Sequence, residues 1–387
     1  MSYIDERPFT NFVIDSLAYE LRHEEYVSGE WTEKTLTTIE RFKDVRALAS
    51  RLVDAFDGLP RKYMLSLRLP KELDTIIGPK TDVINLSSDI RIVRATSQFR
   101  KTFPLENTIG DLGEKLVGGA ALASVSHVIE QAEWEDDALY LQISVSGFIG
   151  MYGRSNTLQD GQRALRSVFG LGLALELLET RVQPTLASPR ASLVVHQERP
   201  DSSWEVFERF YLNDSVAATL NTLRLGTVND SINTPKRRNI RSERIFEQMR
   251  GIFRQQEKAE FLLLAAQWYF DGSHGADELL RYVQSMIVIE IILGDKATSD
   301  QMGLSELLRN RCAYLIGNSQ EQREEILDEF RRIYDVRSQI VHRGKHRLTT
   351  DERWLLSYLR WICSRVIERE VELLNANKKP EDPIAMS

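Results

Sequence analysis

Two residues in the last part of the chain, Arg337 and His342, have side chains that could do chemistry together. A histidine can accept or release a proton near neutral pH. An arginine can stabilise negative charge that develops on phosphoryl oxygens. On a helix, their spacing turns the two side chains apart by about 140° and separates them by about 7.5 Å along the axis. They would therefore flank one groove without sharing a stripe of the helix.

A strong helical pattern carries this pair. Apolar residues recur at helical spacing between Gln322 and Val341, at Ile326, Leu327, Phe330, Ile333, Tyr334 and Val341. Ser319 is a good N-cap because Gln322 follows three residues later. Gly344 is the residue type that ends a helix just beyond its last turn. The sequence therefore predicts one helix that begins near Ser319 and brings His342 close to its C-terminus.

The chain from about Ser242 onward predicts only helices. Besides the helix that carries Arg337 and His342, the predicted helices are Ser242 to Phe270, Ala276 to Leu293, Leu304 to Ile316 and Thr350 to Asn375. The short loops between them favour antiparallel neighbours in a bundle.

The residues before about Thr227 predict a mixture of helices and strands. Helices are predicted from Asn11 to Asp57 and Asp160 to Arg181, and strands at Tyr63–Leu69, Val83–Leu86, Ile90–Val93, Ala138–Ile149, Ser192–His196 and Trp204–Leu212. A polar stretch and the basic cluster Lys236-Arg237-Arg238 mark the boundary, the cluster being either a solvated linker or a phosphate-contacting rim. We expect two domains: an N-terminal α+β (or α/β) domain over 1–230 and an all-α domain over 231–387.

Composition bounds the class of protein. A hydrophobic content of 42%, a charged content of 28% and a net charge of −7 over 387 residues indicate a soluble globular protein without an overall basic coat. Cys312 and Cys363 lie in apolar helical patterns, which favours buried free thiols in a reducing cytoplasm. The longest apolar run, Met286 to Leu293, is too short to span a membrane. No spacing of histidines or cysteines typical of zinc occurs, so we expect no metal and no cofactor.

The stretch Tyr334, Arg337-Ser338 and His342-Arg343-Gly344 resembles the R-x4-6-H signature of the HEPN superfamily of helical RNases, and most closely its ApeA-like group. Trp268-Tyr269, Glu290 in an apolar helix and Arg309-x-Arg311 also resemble members of that group. The resemblance implies a HEPN helical bundle and a metal-independent endoribonuclease in which Arg337 and His342 are catalytic. It further implies a cytoplasmic toxin or antiviral (abortive infection) effector that cleaves RNA, with tRNA among the substrates, to 2′,3′-cyclic phosphate and 5′-hydroxyl ends.

The same resemblance suggests supporting residues and partners. Glu290, Ser338 and Tyr334 are the expected supporting residues, and Arg343, Lys345, His346 and Arg347 the expected RNA-binding residues. Glu290 would form an ion pair with Arg337, Arg309 or Arg311, and with Arg337 it would also orient the catalytic group. Ser338 would contact phosphate or bond back to its helix. The resemblance to HEPN nucleases implies a homodimer, or a higher even oligomer, formed through the helical domain. The N-terminal domain would sense a trigger ligand or protein.

Two other functions stay open at this point. The chain could be a non-catalytic RNA-binding or regulatory HEPN module, such as an antitoxin-like partner, although such a module need not keep both Arg337 and His342. The N-terminal domain could instead be the enzyme, with the helical part as a dimerisation element. Against this last reading, no convincing active site occurs before Thr227.

Overall fold

The computed structural model of the chain describes residues 44–105, 134–150, 155–181, 191–227, 235–275 and 277–376. The helices predicted between residues 11 and 43 lie outside these ranges. So does most of the polar stretch that was expected to separate the two domains.

Helices and strands alternate in the first half of the described chain, and helices follow one another in the second half. The strands are β1 (Arg61–Arg68), β2 (Val83–Asn85), β3 (Ile90–Arg94), β4 (Leu139–Gly147), β5 (Leu178–Thr180), β6 (Ser192–Glu198), β7 (Trp204–Tyr211) and β8 (Leu223–Leu225). The helices are α1 (Val45–Asp57), α2 (Ser97–Thr102), α3 (Asn156–Ala174), α4 (Asp214–Thr222), α5 (Pro235–Phe253), α6 (Gln256–Asp271), α7 (Glu278–Leu293), α8 (Lys296–Met302), α9 (Leu304–Ile316), α10 (Gln320–Arg343) and α11 (Thr350–Ala376).

Six strands form one antiparallel sheet in the order β2-β3-β4-β1-β6-β7, and β5 pairs with β8 in a small second sheet. In the antiparallel pair of β1 and β6, Leu65 lies opposite Val195, and both side chains are buried. β2 and β3 are also antiparallel, with Ile84 opposite Ile92. The predicted order, a sheet-containing N-terminal region followed by a helical region, is therefore confirmed.

The chain divides into two compact units, each of which combines segments distant in sequence, whereas the sequence predicts one boundary near residue 230. The first unit consists of Met1–Leu67, Arg94–Gln162 and Ser192–Phe210, and the second of Arg68–Val93, Arg163–Ala191 and Tyr211–Ser387. The prediction rested on a change of composition along the chain. Composition shows where a linker can be, but it does not show which distant segments pack together.

The first unit has a buried histidine inside a cluster of aromatic rings. His196 on β6 is 0% exposed, stacks on Trp134 with ring centres 5.8 Å apart, and meets the edge of Phe103 at 5.4 Å. Its Nε2 lies 3.1 Å from the carbonyl oxygen of Pro104, to which a neutral ring can donate. Burial lowers the pKa of His196 to about 4, and the hydrogen bond to Pro104 only partly opposes that shift. The ring is therefore a neutral core side chain at pH 7.

The second unit is built around α7, whose sequence is apolar on most of its circumference. Tyr282, Met286, Val288, Ile289 and Leu293 of this helix are all buried. α7 packs against α6, α9, α10 and α11. A helix that is apolar on all sides is stable only when neighbours cover it, so α7 forms the centre of this helical region.

Several predicted helices have different bounds in the structure. The single helix expected from Ser242 to Phe270 is in fact two, α5 and α6, separated by a turn at Arg254 and Gln255. No glycine or proline marks that turn, so the sequence contains no stop signal there. The basic residues 236–238 belong to the start of α5 and not to a linker. The helix expected to reach Arg181 ends at Ala174, and β5 follows it.

The prediction of close packing at Gly170 and Gly172 is confirmed. A Cβ atom on Gly170 would lie 1.9 Å from the backbone oxygen of Ala266 on α6, and one on Gly172 would lie 2.8 Å from a methyl carbon of Leu178. Only glycine lets α3 approach the backbone of α6 this closely.

The two cysteines are buried free thiols, as expected from their apolar surroundings. Burial raises the pKa of Cys312 and of Cys363, and the thiol of Cys363 lies 3.2 Å from the carbonyl oxygen of Ser285. None of the helices in the described ranges combines the length and the apolar character needed to cross a membrane.

Candidate active site

Helix α10 begins and ends where its sequence predicts. Ser319 Oγ accepts a hydrogen bond from the backbone N–H of Gln322 at 3.1 Å, and Gln322 Oε1 accepts one from the N–H of Asn318 at 2.9 Å. These two contacts satisfy donors that would otherwise be unpaired at the helix start. Gly344 ends the helix in the left-handed conformation, with φ of 65° and ψ of 33°. Arg337 and His342 therefore lie on one helix, with His342 in its last turn.

Arg337 is held by two neighbours. Its Nη2 lies 3.2 Å from Glu290 Oε1 on α7, and the two side chains are only 22% and 24% exposed. Its guanidinium carbon lies 5.8 Å from the centre of the Tyr334 ring, which is within range of a cation–π contact. The guanidinium thus has a fixed position between a carboxylate of the neighbouring helix and an aromatic ring of its own helix.

Of the three arginines that the sequence offered to Glu290, the structure pairs it with Arg337. Arg311 instead donates to the carbonyl oxygen of Leu293 at 2.8 Å, at the end of α7. Arg309 lies 3.9 Å from the carboxylate of Glu306 on its own helix. Glu290 is therefore placed to orient Arg337.

A second contact from α7 fixes the same turn of α10, and the sequence analysis missed it. The hydroxyl of buried Tyr282 donates to the carbonyl oxygen of Ile333 at 3.1 Å. Burial, followed by the charge of Glu352, raises the pKa of Tyr282, which keeps this hydroxyl protonated as a donor. A buried tyrosine in an apolar helix needs a partner for its hydroxyl. This requirement was the signal in the sequence that could have indicated the contact.

His342 and Ser338 are open to other molecules. His342 is exposed, and within the described residues its ring makes no hydrogen bond or ion pair. Val341 beside it is also 47% exposed. The hydroxyl of half-buried Ser338 makes no hydrogen bond in the described ranges, so it does not bond back to its helix there. Both side chains can therefore meet a ligand at the end of α10.

The four basic residues that follow His342 separate into two groups. Arg343, His346 and Arg347 are exposed, as expected for residues that would contact a polyanion. Lys345 differs from the expectation, because its Nζ lies 2.8 Å from Glu352 Oε1 and 3.2 Å from Gln339 Oε1. The side chains of the Lys345–Glu352 pair are only 17% and 14% exposed.

Lys345 therefore fixes the turn between α10 and α11. Burial acts to raise the pKa of Glu352, but hydrogen bonds from Lys345 and Thr349 outweigh it, and the pKa is lower than usual. Leu348 in the same turn is 3% exposed. The turn that carries the exposed basic residues is thus anchored by one ion pair and one buried apolar side chain.

Charge is distributed unevenly along α10. Its first three turns contain the acidic residues Glu321, Glu324, Glu325, Asp328 and Glu329, whereas basic residues dominate from Arg331 to the end of the helix. This order complements the helix dipole, whose negative end lies at the C-terminus. A chain with a net charge of −7 consequently presents a locally positive region around His342.

Other candidate sites lie elsewhere or do not form. A groove of about 1110 Å³ lies between the β2–β3 hairpin and the junction of α5 with α6, and none of the residues around Arg337 and His342 lines it. Among the described residues, no cluster of histidine, cysteine, aspartate and glutamate side chains could hold a metal ion.

The arrangement offers a fixed guanidinium, a free imidazole and exposed cations, which together can bind a phosphodiester and move protons. Comparison with known proteins adds no relative: no protein-family model matches the chain, no curated protein matches its sequence, and no solved structure matches its fold.

Proposed function

We propose that this chain is a metal-independent endoribonuclease of the HEPN type that acts through Arg337 and His342. The 2′-hydroxyl of the RNA attacks the adjacent phosphorus, and the bond to the 5′-oxygen of the next nucleotide breaks. His342 accepts the proton of the 2′-hydroxyl or protonates the leaving 5′-oxygen. Arg337 stabilises the negative charge on the non-bridging oxygens. The products are a 2′,3′-cyclic phosphate and a 5′-hydroxyl, and the nucleophile comes from the substrate itself.

The observation that carries this proposal is the fixed position of Arg337. Glu290 accepts a hydrogen bond from one terminal nitrogen of the guanidinium, while a guanidinium has five N–H donors in all. The remaining donors are available to phosphate oxygens. A donor that is already held in place stabilises a transition state better than one that must be ordered during the reaction.

The two-fold arrangement of HEPN nucleases suits this site. On α10 the side chains of Arg337 and His342 point about 140° apart, so one copy supplies few groups to one phosphate. A homodimer that places the two copies of the motif face to face would double these groups in one cleft. The exposed residues Arg343, His346 and Arg347 would then contact the flanking phosphates.

The cellular role follows from the resemblance to ApeA-like proteins. We propose a cytoplasmic toxin or antiviral effector of the abortive-infection type, which cleaves host or phage RNA with tRNA among its substrates. The N-terminal region would receive the trigger, as a ligand or a protein.

Sequencing of RNA 5′ and 3′ ends after expression of the chain tests this function. We expect new 5′-hydroxyl ends with the wild type and none with His342→Ala or Arg337→Ala. Arg331→Ala is the matched control, because Arg331 is an exposed arginine on the same helix. Each loss should exceed about a hundredfold, and the double variant should be no worse than either single one.

The purified protein should also cleave in EDTA and should spare an RNA with a 2′-deoxy group at the cleavage position. Undiminished cleavage by the double variant, or cleavage that strictly requires a divalent ion, would overturn the assignment. RNA binding without cleavage by the wild type would favour the non-catalytic RNA-binding module.

A further inference from the structure

Two arginines of the second unit converge on one carbonyl group at the C-terminal end of α6. Arg281 of α7 donates from Nε to the carbonyl oxygen of Gly272 at 3.4 Å, and Arg360 of α11 donates to the same oxygen from Nη1. The guanidinium of Arg360 also lies over the ring of Tyr269, 5.4 Å from its centre. Both arginines are half-buried. The C-terminal end of a helix favours positive charge. This effect explains one cation at this position, but it does not explain why two are present.

The carboxylate nearest in its effect on these two cations is Glu278, whose charge acts on Arg281 but whose ion pair is with Arg353. Within the described residues neither Arg281 nor Arg360 forms an ion pair, and the nearby acids along the chain are engaged elsewhere. Asp271 lies 3.7 Å from Arg166, and Asp277 caps α7 by accepting from two backbone N–H groups of its first turn. The two guanidinium groups are therefore like charges held side by side.

A neighbouring pair of residues on the same two helices has opposite charges, in contrast to the two arginines. Glu278 lies one turn before Arg281. Both of its carboxylate oxygens accept a hydrogen bond from Nε of Arg353, at 2.9 Å each. Arg353 precedes Arg360 by two turns of α11. Along the contact between α7 and α11, a pair of opposite charges is thus followed by a pair of equal charges.

The paired arginines still have donors to offer. Each guanidinium has five N–H groups, and the Gly272 carbonyl uses one from each. Among the described residues, no nitrogen of Arg281 or Arg360 is both buried and without a partner. Arg360 also shares a hydrogen bond with the side chain of Tyr269, and the remaining donors of the two arginines are either accessible to solvent or partnered.

The charges of the two arginines act on each other and on their surroundings. Burial, and then the charge of Arg360, lowers the pKa of Arg281, and the charge of Glu278 opposes this shift without cancelling it. Burial, and then the charge of Arg281, lowers the pKa of the nearby half-exposed His274. An anion bound between the two arginines would relieve their repulsion.

We propose that Arg281 and Arg360 form a binding site for a phosphate group, carried by a free nucleotide or by the backbone of RNA. Planar guanidinium forks match the spacing of phosphate oxygens, and two forks can share one phosphate. The site is separate from Arg337, because Arg281 and Glu290 lie on α7 with about 13 Å of helix between them. It does not depend on RNA cleavage.

Calorimetric titration of the full chain tests the site with three probes: inorganic phosphate, AMP and a single-stranded oligouridylate, all at constant ionic strength. The RNA titration uses the His342→Ala protein so that the probe stays intact. We expect Arg281→Gln and Arg360→Gln each to weaken binding about tenfold. Glutamine removes the charge but can still donate to the Gly272 carbonyl. Arg353→Gln, from the neighbouring ion pair, is the matched control and should bind as the wild type does.

The three probes distinguish the sources of the phosphate. Binding of phosphate or AMP indicates a small ligand, and binding of the oligouridylate alone indicates the RNA backbone. If a glutamine variant melts early, Arg281→Lys and Arg360→Lys replace it, since lysine keeps the charge but lacks the planar fork. The proposal is overturned if no probe binds the protein that keeps both Arg281 and Arg360, if Arg353→Gln loses as much affinity as the other variants, or if both lysine variants bind undiminished. All of these outcomes are binding affinities, so they can be interpreted even though His342→Ala is expected not to cleave RNA.

Discussion

Arg337 can remain half-buried because Glu290 compensates its charge. The contribution of this ion pair to stability can therefore be measured. A double-mutant cycle with Glu290→Gln and Arg337→Gln should give a coupling of about 1 kcal/mol in the free energy of unfolding. Glu290→Gln should also lower kcat for RNA cleavage more than it raises KM, because Arg337 loses its orientation.

The control for this cycle is an ion pair within the same helix. Arg332 and Glu329 are 2.8 Å apart, and their side chains are 50% and 19% exposed. Its coupling should be about 0.3 kcal/mol, as for other helical pairs at this spacing. Urea unfolding of all variants measures both values, and equal coupling in the two pairs would contradict the special role of Glu290.

His196 should make stability depend on pH. Its pKa is about 4 in the folded chain and about 6.5 when unfolded, so between these values the unfolded state binds a proton that the folded state does not. The free energy of unfolding is therefore highest above pH 6.5 and should fall by about 3 kcal/mol as the pH drops to 4.

His196→Gln isolates that contribution, because glutamine can still donate to the carbonyl of Pro104 but does not titrate. We expect urea unfolding at several pH values to show a shallower acid decline for the variant than for the wild type. Parallel declines in the two proteins would rule out His196 as the source.

At the scale of the helix, the contact between α3 and α6 depends on Gly170. Gly170→Ala should destabilise the protein by about 3 kcal/mol, because the new methyl group would meet a backbone carbonyl that cannot move aside. Gly161→Ala on the same helix is the control, since its methyl group would meet side-chain atoms, a methyl carbon of Leu65 at 2.4 Å and one of Val145 at 3.4 Å, and not a backbone carbonyl. Thermal unfolding should rank Gly170→Ala well below Gly161→Ala, and the reverse order would refute the packing argument.

The elements with strong periodicity could be predicted from the sequence, and those without it could not. β4 alternates apolar and polar residues, and α9 and α10 have clear caps or stops, so their bounds agree with prediction within a few residues. The break at Arg254 and Gln255 contains no glycine or proline, and α8 is too short to show a period. The elements that could be predicted are therefore those that a local sequence pattern marks. The others depend on tertiary contacts, which the sequence pattern does not show.

The candidate site follows the same rule. The placement of Arg337 and His342 on one helix depends on local spacing and could be predicted. The choice of Arg337 as the partner of Glu290, and the pairing of Lys345 with Glu352, depend on how separate helices pack. Sequence spacing contains no such information, so the first stayed one of three alternatives and the second was missed.

For the whole molecule, we expect a dimer, because two motifs that face each other would double the groups available to one phosphate. We expect light scattering to give the mass of a dimer, or of a multiple of it. Mixing an excess of Arg337→Ala chains with wild type should then lower the activity per wild-type chain, because mixed dimers have an incomplete cleft. A monomer that remains fully active at high dilution would contradict this expectation, as would a dimer with its two motifs on opposite outer surfaces.

The ion pair between Lys345 and Glu352 has a consequence for the thermodynamics of the proposed RNA binding. Since it anchors the turn after α10, the exposed residues Arg343, His346 and Arg347 are already ordered before RNA arrives. Freeing such a turn restores about 1 kcal/mol of backbone conformational entropy per residue, which binding must then remove. Glu352→Gln should therefore weaken RNA binding mainly through a less favourable entropy, although Glu352 is not one of the proposed RNA-binding residues. Calorimetry on the His342→Ala background measures this directly, and an unchanged binding entropy would mean that the turn keeps its order without the pair.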